Sequence, residues 1–376
     1  MTLTLGPRAE RSRPGQRDLL LHALTSLPDY PAAFRSRLDR FAAEATVEDW
    51  QQLLALAGYH GVLGVIADAV SLTHGLPVDI AETARRWHAV EHLWQDHVMT
   101  GLASIAALLA RQGIEALALK GPALAARLYP AATMRHCMDV DLLVDPRSFD
   151  AAAAALTAAG YTSESGVSAA YLRRHAHHLH FTKPGAVAVE LHFRTYAGFG
   201  VVVPAAALLE RAVAYPLPGS VPVNVPAPED EYLYLAVHAA GHSFVRLVWL
   251  YDLKLLRRRT PSLDWQALFS RAAALGVGDA VAYATRLLAE WLGETLPDLA
   301  WRQRPLRSRL ADRLLPEVSR PQEASARDNL GGLVFTSLLC DRWSSGASML
   351  THHLGRVVRR RLTRAAPGVF PEDWKA

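Results

Sequence analysis

The chain has 376 residues, 51% of them hydrophobic, with 40 Lys and Arg against 36 Asp and Glu and a formal net charge of +4. That length and apolar content can bury a sizeable core in two or three units, and the small charge excludes a whole-protein footprint for polyanions. No run approaches the roughly 18 apolar residues needed to span a bilayer, no apolar signal core follows the N-terminal arginines, and two cysteines give no disulfide framework, so a reducing cytoplasm is expected.

After a polar start through about Gln16, residues 18–112 carry helical patterning. Its clearest stripe is Val90, Leu93, Trp94, Val98, Leu102, Ile105, Leu108 and Leu109, recurring at three- and four-residue steps, which predicts one buried helix face. A short strand is expected over Ile114–Leu119, then a turn at Lys120-Gly121-Pro122 and a helix over Ala123–Leu128. Glycine lets backbone approach a ligand there, proline suits a first helical turn, and Lys120 offers a point charge for phosphate. The same turn also reads as an ordinary strand-to-helix junction.

The stretch Met138-Asp139-Val140-Asp141-Leu142-Leu143-Val144 alternates as a strand does. Met138, Val140, Leu142 and Val144 are expected in the core, with Asp139 and Asp141 together on the opposite face. Like charges that close are unfavourable unless a cation sits between them, and Mg²⁺ takes one or two carboxylates plus substrate phosphates. An alanine-rich helix over Ser148–Ala159, closed by Gly160, follows. Two further strands, His177–Thr182 and Ala186–Phe193, join through a turn at Lys183-Pro184-Gly185, with Val187, Val189 and Leu191 on one face and Glu190 and His192 on the other. Pro204 to Pro228 reads as a proline-rich connector with local structure, after which helices resume, and no fixed-period repeat is present.

Leu119-Lys120-Gly121, Tyr129, Arg135, Asp139-Val140-Asp141-Leu142-Leu143-Val144 and Gly160-Tyr161 together resemble the signature of bacterial nucleotidyltransferase-like proteins of the DNA polymerase beta-type superfamily. The strict resemblance covers roughly residues 114–195, with weaker similarity to about residue 300. One departure is plain: Lys120 or Pro122 stands where the superfamily carries Gly-Gly or Gly-Ser. The resemblance implies an α+β fold, with a small mixed-sheet nucleotidyltransferase core (113–203) between an N-terminal helical region (1–112) and a C-terminal helical region (204–376). It implies transfer of a nucleoside monophosphate from an NTP to an acceptor with release of pyrophosphate, Mg²⁺ or Mn²⁺ being held by Asp139, Asp141 and a third acidic residue, Glu190. Lys120, Gly121 and Arg135 would engage phosphate, although Arg135 could equally brace its loop by pairing with an aspartate. The acceptor stays open among a small hydroxylated metabolite, a peptide or protein side chain and a tRNA end. A scaffold or nucleotide-binding protein that has lost turnover is the competing class.

Histidines and arginines leave further choices. His175, His177, His178 and His180 lack the ordered spacing of a zinc motif, and Cys137 is a single nearby thiol. His238 and His242 share a helix face, with Asp252 following in the next segment; with His192 these residues either line an acceptor cleft or are packed. Arg257-Arg258-Arg259 and the run from Arg356 to Arg364 offer charge for RNA phosphates, but aromatic interleaving is sparse and solvated helix faces account for them as well. Nucleic acid therefore ranks below a nucleotide and a small or protein acceptor as partner.

Overall fold

The structure is a computed structural model and describes residues 14–26, 32–71, 76–163, 177–195, 199, 203–217, 221–295, 305–315, 330–342 and 344–347. His175 and the arginines from 356 to 364 lie outside these residues. Among the described residues seven strands make one mixed sheet: β1 (Ala116–Ala118), β2 (Asp139–Val144), β3 (Thr162–Ser163), β4 (His178–Thr182), β5 (Ala188–His192), β6 (Val213–Tyr215) and β7 (Val223–Val225), in the order β3-β4-β5-β2-β1-β7-β6. β2 runs antiparallel to β1 and parallel to β5, while β4 runs antiparallel to β5. The acidic strand is thus central. β6 and β7 come from the segment expected to be a connector, and β7 pairs with β1, so the sheet continues past residue 203.

One sheet face is apolar because the period-two alternation holds: Val140, Leu142, Val144, Val189, Leu191 and Phe181 are all buried there. They pack with Val98, Leu102, Ile105 and Leu109 of the long helix α5 (Val78–Arg111) and with Leu156 of α7 (Phe149–Ala158). Gly101 permits this approach, since a Cβ there would stand 2.2 Å from Cγ1 of Val187. The expected apolar stripe fails at its N-terminal end: Val90 is 57% and Leu93 71% exposed, whereas Glu91 and Gln95 are buried. Polar loop chemistry explains the rotation. The Gln95 amide donates to the carbonyl of Arg135 at 2.7 Å and to Glu91 Oε1 at 2.9 Å, and the other Glu91 oxygen meets His136 Nδ1 at 2.7 Å. Met138 is also 61% exposed, contrary to its expected core position, because it precedes the first ladder pair of β2, Asp139 with Ala188.

The two helical regions, distant in sequence, share one core. Leu20 and Leu24 of α1 (Pro14–Ser26), Trp50 and Leu53 of α3 (Val47–Tyr59), Leu235 and Tyr251 of helices Pro228–Gly241 and Leu247–Arg259, and Leu288 of helix Gly278–Leu292 are buried in one cluster, together with Leu117, Leu119 and Leu143 of the sheet. A capping box starts α3: Asp49 N–H donates to the Thr46 hydroxyl, and the Thr46 N–H donates to the Asp49 carboxylate. Lys254, fully buried, donates to the carbonyls of Leu24 at 2.5 Å and Thr25 at 2.6 Å at the end of α1, with Glu294 at 3.8 Å. A charged donor there satisfies carbonyls that the helix end leaves open. The fold is α+β, its sheet lying between the α5 and α7 layer and this joined helical body. Among the described residues no helix is long and apolar enough to cross a membrane.

Candidate active site

The sheet face opposite α5 carries polar side chains in register. Parallel pairing sets Asp141 beside Glu190, and antiparallel pairing sets His180 beside Glu190 and His178 beside His192. Because alternate residues share a face, Asp139, Asp141, Glu190, His192, His178 and His180 stand on one side of three adjacent strands. His192 Nε2 lies 3.2 Å from Asp141 Oδ1 and 3.3 Å from Glu190 Oε2. One donor atom from each of Asp141, Glu190 and His192 falls within 4.8 Å of the others, a metal-sized grouping.

The turn after β1 closes over this face. Lys120 Nζ sits 3.0 Å from Asp141 Oδ1. Gly121 has φ +69° and ψ −138°, a conformation L side chains rarely adopt, and a Cβ there would lie 3.3 Å from the Asp139 carbonyl oxygen and 3.8 Å from Asp141 Oδ2. Pro122 then opens the seven-residue helix α6 (Pro122–Leu128), and no side chain caps it.

Electrostatics divide the paired aspartates. Burial would raise the Asp141 carboxyl, but Lys120 and His192 outweigh it and hold Asp141 well below the usual carboxylate range. Asp139 goes the other way: burial and then the Asp141 charge push it up to about 6. Burial would lower Lys120, yet Asp141 leads Tyr234, Asp139 and Glu190 in raising it overall. His192 is raised by its bonds to Asp141 and Glu190 against burial, whereas burial and His192 bring His178 down to about 4. Asp141 Oδ2 is buried with no hydrogen-bond partner. An unpartnered carboxylate oxygen beside two more carboxylates and an ammonium is a donor set that accepts a hard divalent cation.

Arg135 takes the bracing arrangement. Its Nε and Nη2 donate to the two oxygens of Asp252, each at 2.9 Å, and Nη1 reaches Cys137 Sγ at 3.2 Å. The Tyr129 hydroxyl donates to the same carboxylate at 2.6 Å. Asp252 is completely buried, with both carboxylate oxygens taken up by Arg135 and Tyr129. His238 and His242 gather with Trp249 in a ring cluster, their centroids 4.7 Å apart and each 5.0–5.4 Å from the indole. Tyr234, stacked on His238 at 6.1 Å, is the neighbour that links this cluster to Lys120. Arg257 and Arg258 both pair with Glu294, and Arg259 donates to the Leu128 carbonyl at 3.4 Å, which ties that basic run into packing.

The sequence profile of a family described as "Uncharacterised nucleotidyltransferase" matches residues 46–293, well over half of the chain. The chain belongs to that family. No curated protein matches it. The matched span takes in α3, the whole described sheet and the helices Pro228–Gly241, Leu247–Arg259 and Gly278–Leu292, so the family unit includes helical regions on both sides of the site as well as the sheet. Two of the groups now in the site are not placed there by the sequence. His178 reads only as one of a histidine cluster without zinc-motif spacing, because its partner His192 lies across a strand pair, and Tyr234 has no local signal.

Proposed function

We propose that this nucleotidyltransferase-family protein moves a nucleoside monophosphate from an NTP to an acceptor hydroxyl, with Asp139, Asp141 and Glu190 as the cation ligands. The observation that carries the reading is the buried, unpartnered Asp141 Oδ2, facing a glycine turn whose positive φ disfavours any side chain and flanked by Glu190 in register. When bound, Mg²⁺ or Mn²⁺ would neutralise triphosphate oxygens and the charge developing on pyrophosphate. Lys120 pairs with phosphate oxygens from the turn, and Gly121 lets the backbone approach them. A Glu190 carboxylate oxygen takes the acceptor's proton as the acceptor oxygen bonds to the α-phosphorus and the bond to pyrophosphate breaks. His192 holds Asp141 and Glu190 in position through Nε2. Arg135 acts at one remove, by fixing the loop that leads into β2. The order of these motifs resembles that of bacterial, DNA polymerase beta-type enzymes, and the two buried free thiols suit a cytoplasmic setting.

Incubation with each NTP, Mg²⁺ and cell extract, followed by mass spectrometry, is the test. A nucleotide adduct identifies donor and acceptor together, whether metabolite, protein or tRNA. A protein that binds no NTP in a Mg²⁺-dependent way is instead the scaffold. Within the active reading, Lys120→Ala is expected to weaken NTP binding by about 1.5–3 kcal/mol, the range for hydrogen bonds to charged groups. Calorimetric titration measures it, and unchanged affinity would mean that Lys120 serves only as the counter-charge of Asp141.

A further inference from the structure

The polar sheet face holds more nitrogen than nucleotidyl transfer uses. His177, in the bend just before β4, brings its ring within 4.3 Å of that of His178, the first residue of the strand, and His178 stands directly across the strand pair from His192 at 4.8 Å. The His177 and His192 rings are 5.7 Å apart. Backbone pairing continues past the strand end and fixes this approach, since the Phe193 N–H donates to the His177 carbonyl at 3.0 Å. One ring nitrogen from each histidine lies within 4.8 Å of the others. On a tetrahedral ion with bonds of about 2.1 Å, ligand atoms stand roughly 3.4 Å apart, so modest side-chain rotation closes the set.

One ring, His192, is held by carboxylates in the orientation that metal-ligating histidines use, and His178 is turned the same way without a hydrogen bond. His192 turns Nε2 to Asp141 and Glu190, and His178 turns Nε2 toward Glu190 Oε1 at 3.8 Å. A carboxylate on one ring nitrogen sets the tautomer and leaves the other nitrogen as a donor to metal. In both residues that other nitrogen, Nδ1, is buried with no hydrogen-bond partner. Buried polar atoms of native proteins are nearly always satisfied, and His192 is 4% exposed. Imidazole nitrogens suit Zn²⁺, Co²⁺ and Ni²⁺, whereas Mg²⁺ and Mn²⁺ prefer the neighbouring oxygens.

We propose that His177, His178 and His192 form a site for a borderline divalent transition ion of the Zn²⁺ class, next to the carboxylate site and joined to it through His192. The site does not depend on nucleotidyl transfer, and it gives the acidic face two chemically distinct ion positions. An ion held there would fix the ring that positions Asp141 and Glu190.

The test loads chelator-stripped full-length protein with Co²⁺ in the presence of excess Mg²⁺, follows visible ligand-field absorption, and displaces Co²⁺ with Zn²⁺. One Co²⁺ should bind despite the Mg²⁺. His177→Gln and His178→Gln should each weaken it more than tenfold, while Asp139→Asn should leave it unchanged. X-ray absorption of the Zn²⁺-loaded wild-type protein should count three imidazoles, a readout independent of how any variant folds. An oxygen-only shell, full competition by Mg²⁺, or equal loss in Asp139→Asn would overturn the proposal. Mg²⁺-dependent NTP binding, measured on the same Zn²⁺-free protein, reports separately on the nucleotidyltransferase reading.

Discussion

Asp139→Asn is expected to lose Mg²⁺-dependent NTP binding while raising the thermal midpoint of the metal-free protein above pH 7. Burial and the Asp141 charge push Asp139 up to about 6, so in the folded state its ionised form is held against both. Between the ordinary aspartate value and about 6 the native state binds more protons at this group than the unfolded chain. Stability from this group therefore falls as pH rises through that window. At pH 8 the cost is fully present, and an uncharged amide removes it. One pK unit corresponds to about 1.4 kcal/mol, so a gain of about 2 kcal/mol is expected after discounting for partial exposure. The same carboxylate is needed for the cation, and a loss of NTP affinity of about 100-fold, or ~3 kcal/mol, follows.

Asp141→Asn behaves oppositely in stability. Its carboxylate is held below the usual range by Lys120 and His192, so its contribution is present above the ordinary value and is lost only as pH falls beneath it. Removing the charge leaves Lys120, 19% exposed at its side chain, facing an amide, a loss of about 3 kcal/mol or more. Thermal melts at pH 5.5 and pH 8, with calorimetric titration of Mg²⁺ and NTP, separate the two variants. For the wild-type protein the Mg²⁺-dependent affinity should drop from pH 7.5 to pH 5.5 as Asp139 takes up a proton. Normal NTP affinity in Asp139→Asn would show that the cation is held elsewhere.

Period-two alternation made the acidic strand readable, because side chains on β2 and β5 must take opposite faces whatever their neighbours do. Val140, Leu142, Val189 and Leu191 went to one core, and Asp141 and Glu190 to the other face, from that rule alone. The α5 stripe was readable only where the partner is apolar. Over Val90 and Leu93 the packing partner is the polar loop of Arg135 and His136, and a helix presents whichever face satisfies it. Strands β6 and β7 were missed because three-residue strands between prolines carry too few positions for any period. The histidine pairing was hidden for a different reason. His178 and His192 are separated by a hairpin, and a cross-strand register is set by the turn and by the hydrophobic faces, with no fixed ligand spacing to display it.

Arg135→Ala is expected to destabilise the fold by about 3–5 kcal/mol, the range for breaking a buried ion pair from one side. The Arg135 side chain is 8% exposed and its guanidinium makes two bonds to Asp252, which is fully buried and also accepts from Tyr129. Truncating the arginine leaves the Asp252 carboxylate with the tyrosine hydroxyl alone. Asp252→Ala leaves the guanidinium with only Cys137 Sγ, at 3.2 Å, and should cost a similar amount. Replacing both partners with apolar residues, Arg135→Met with Asp252→Leu, removes both buried charges and should recover most of the loss. Tyr129→Phe deletes one charge-assisted bond and should cost about 1.5–3 kcal/mol. Denaturant unfolding of the four variants, with NTP titration of each folded protein, distinguishes bracing from phosphate binding. The pair joins the loop before β2 to helix Leu247–Arg259, across 117 residues of chain, so its loss should loosen the entry of the acidic strand and lower NTP affinity only in proportion to stability. If Arg135→Ala kept its unfolding midpoint and lost only NTP affinity, the guanidinium would be contacting phosphate and the brace to Asp252 would carry little of the fold.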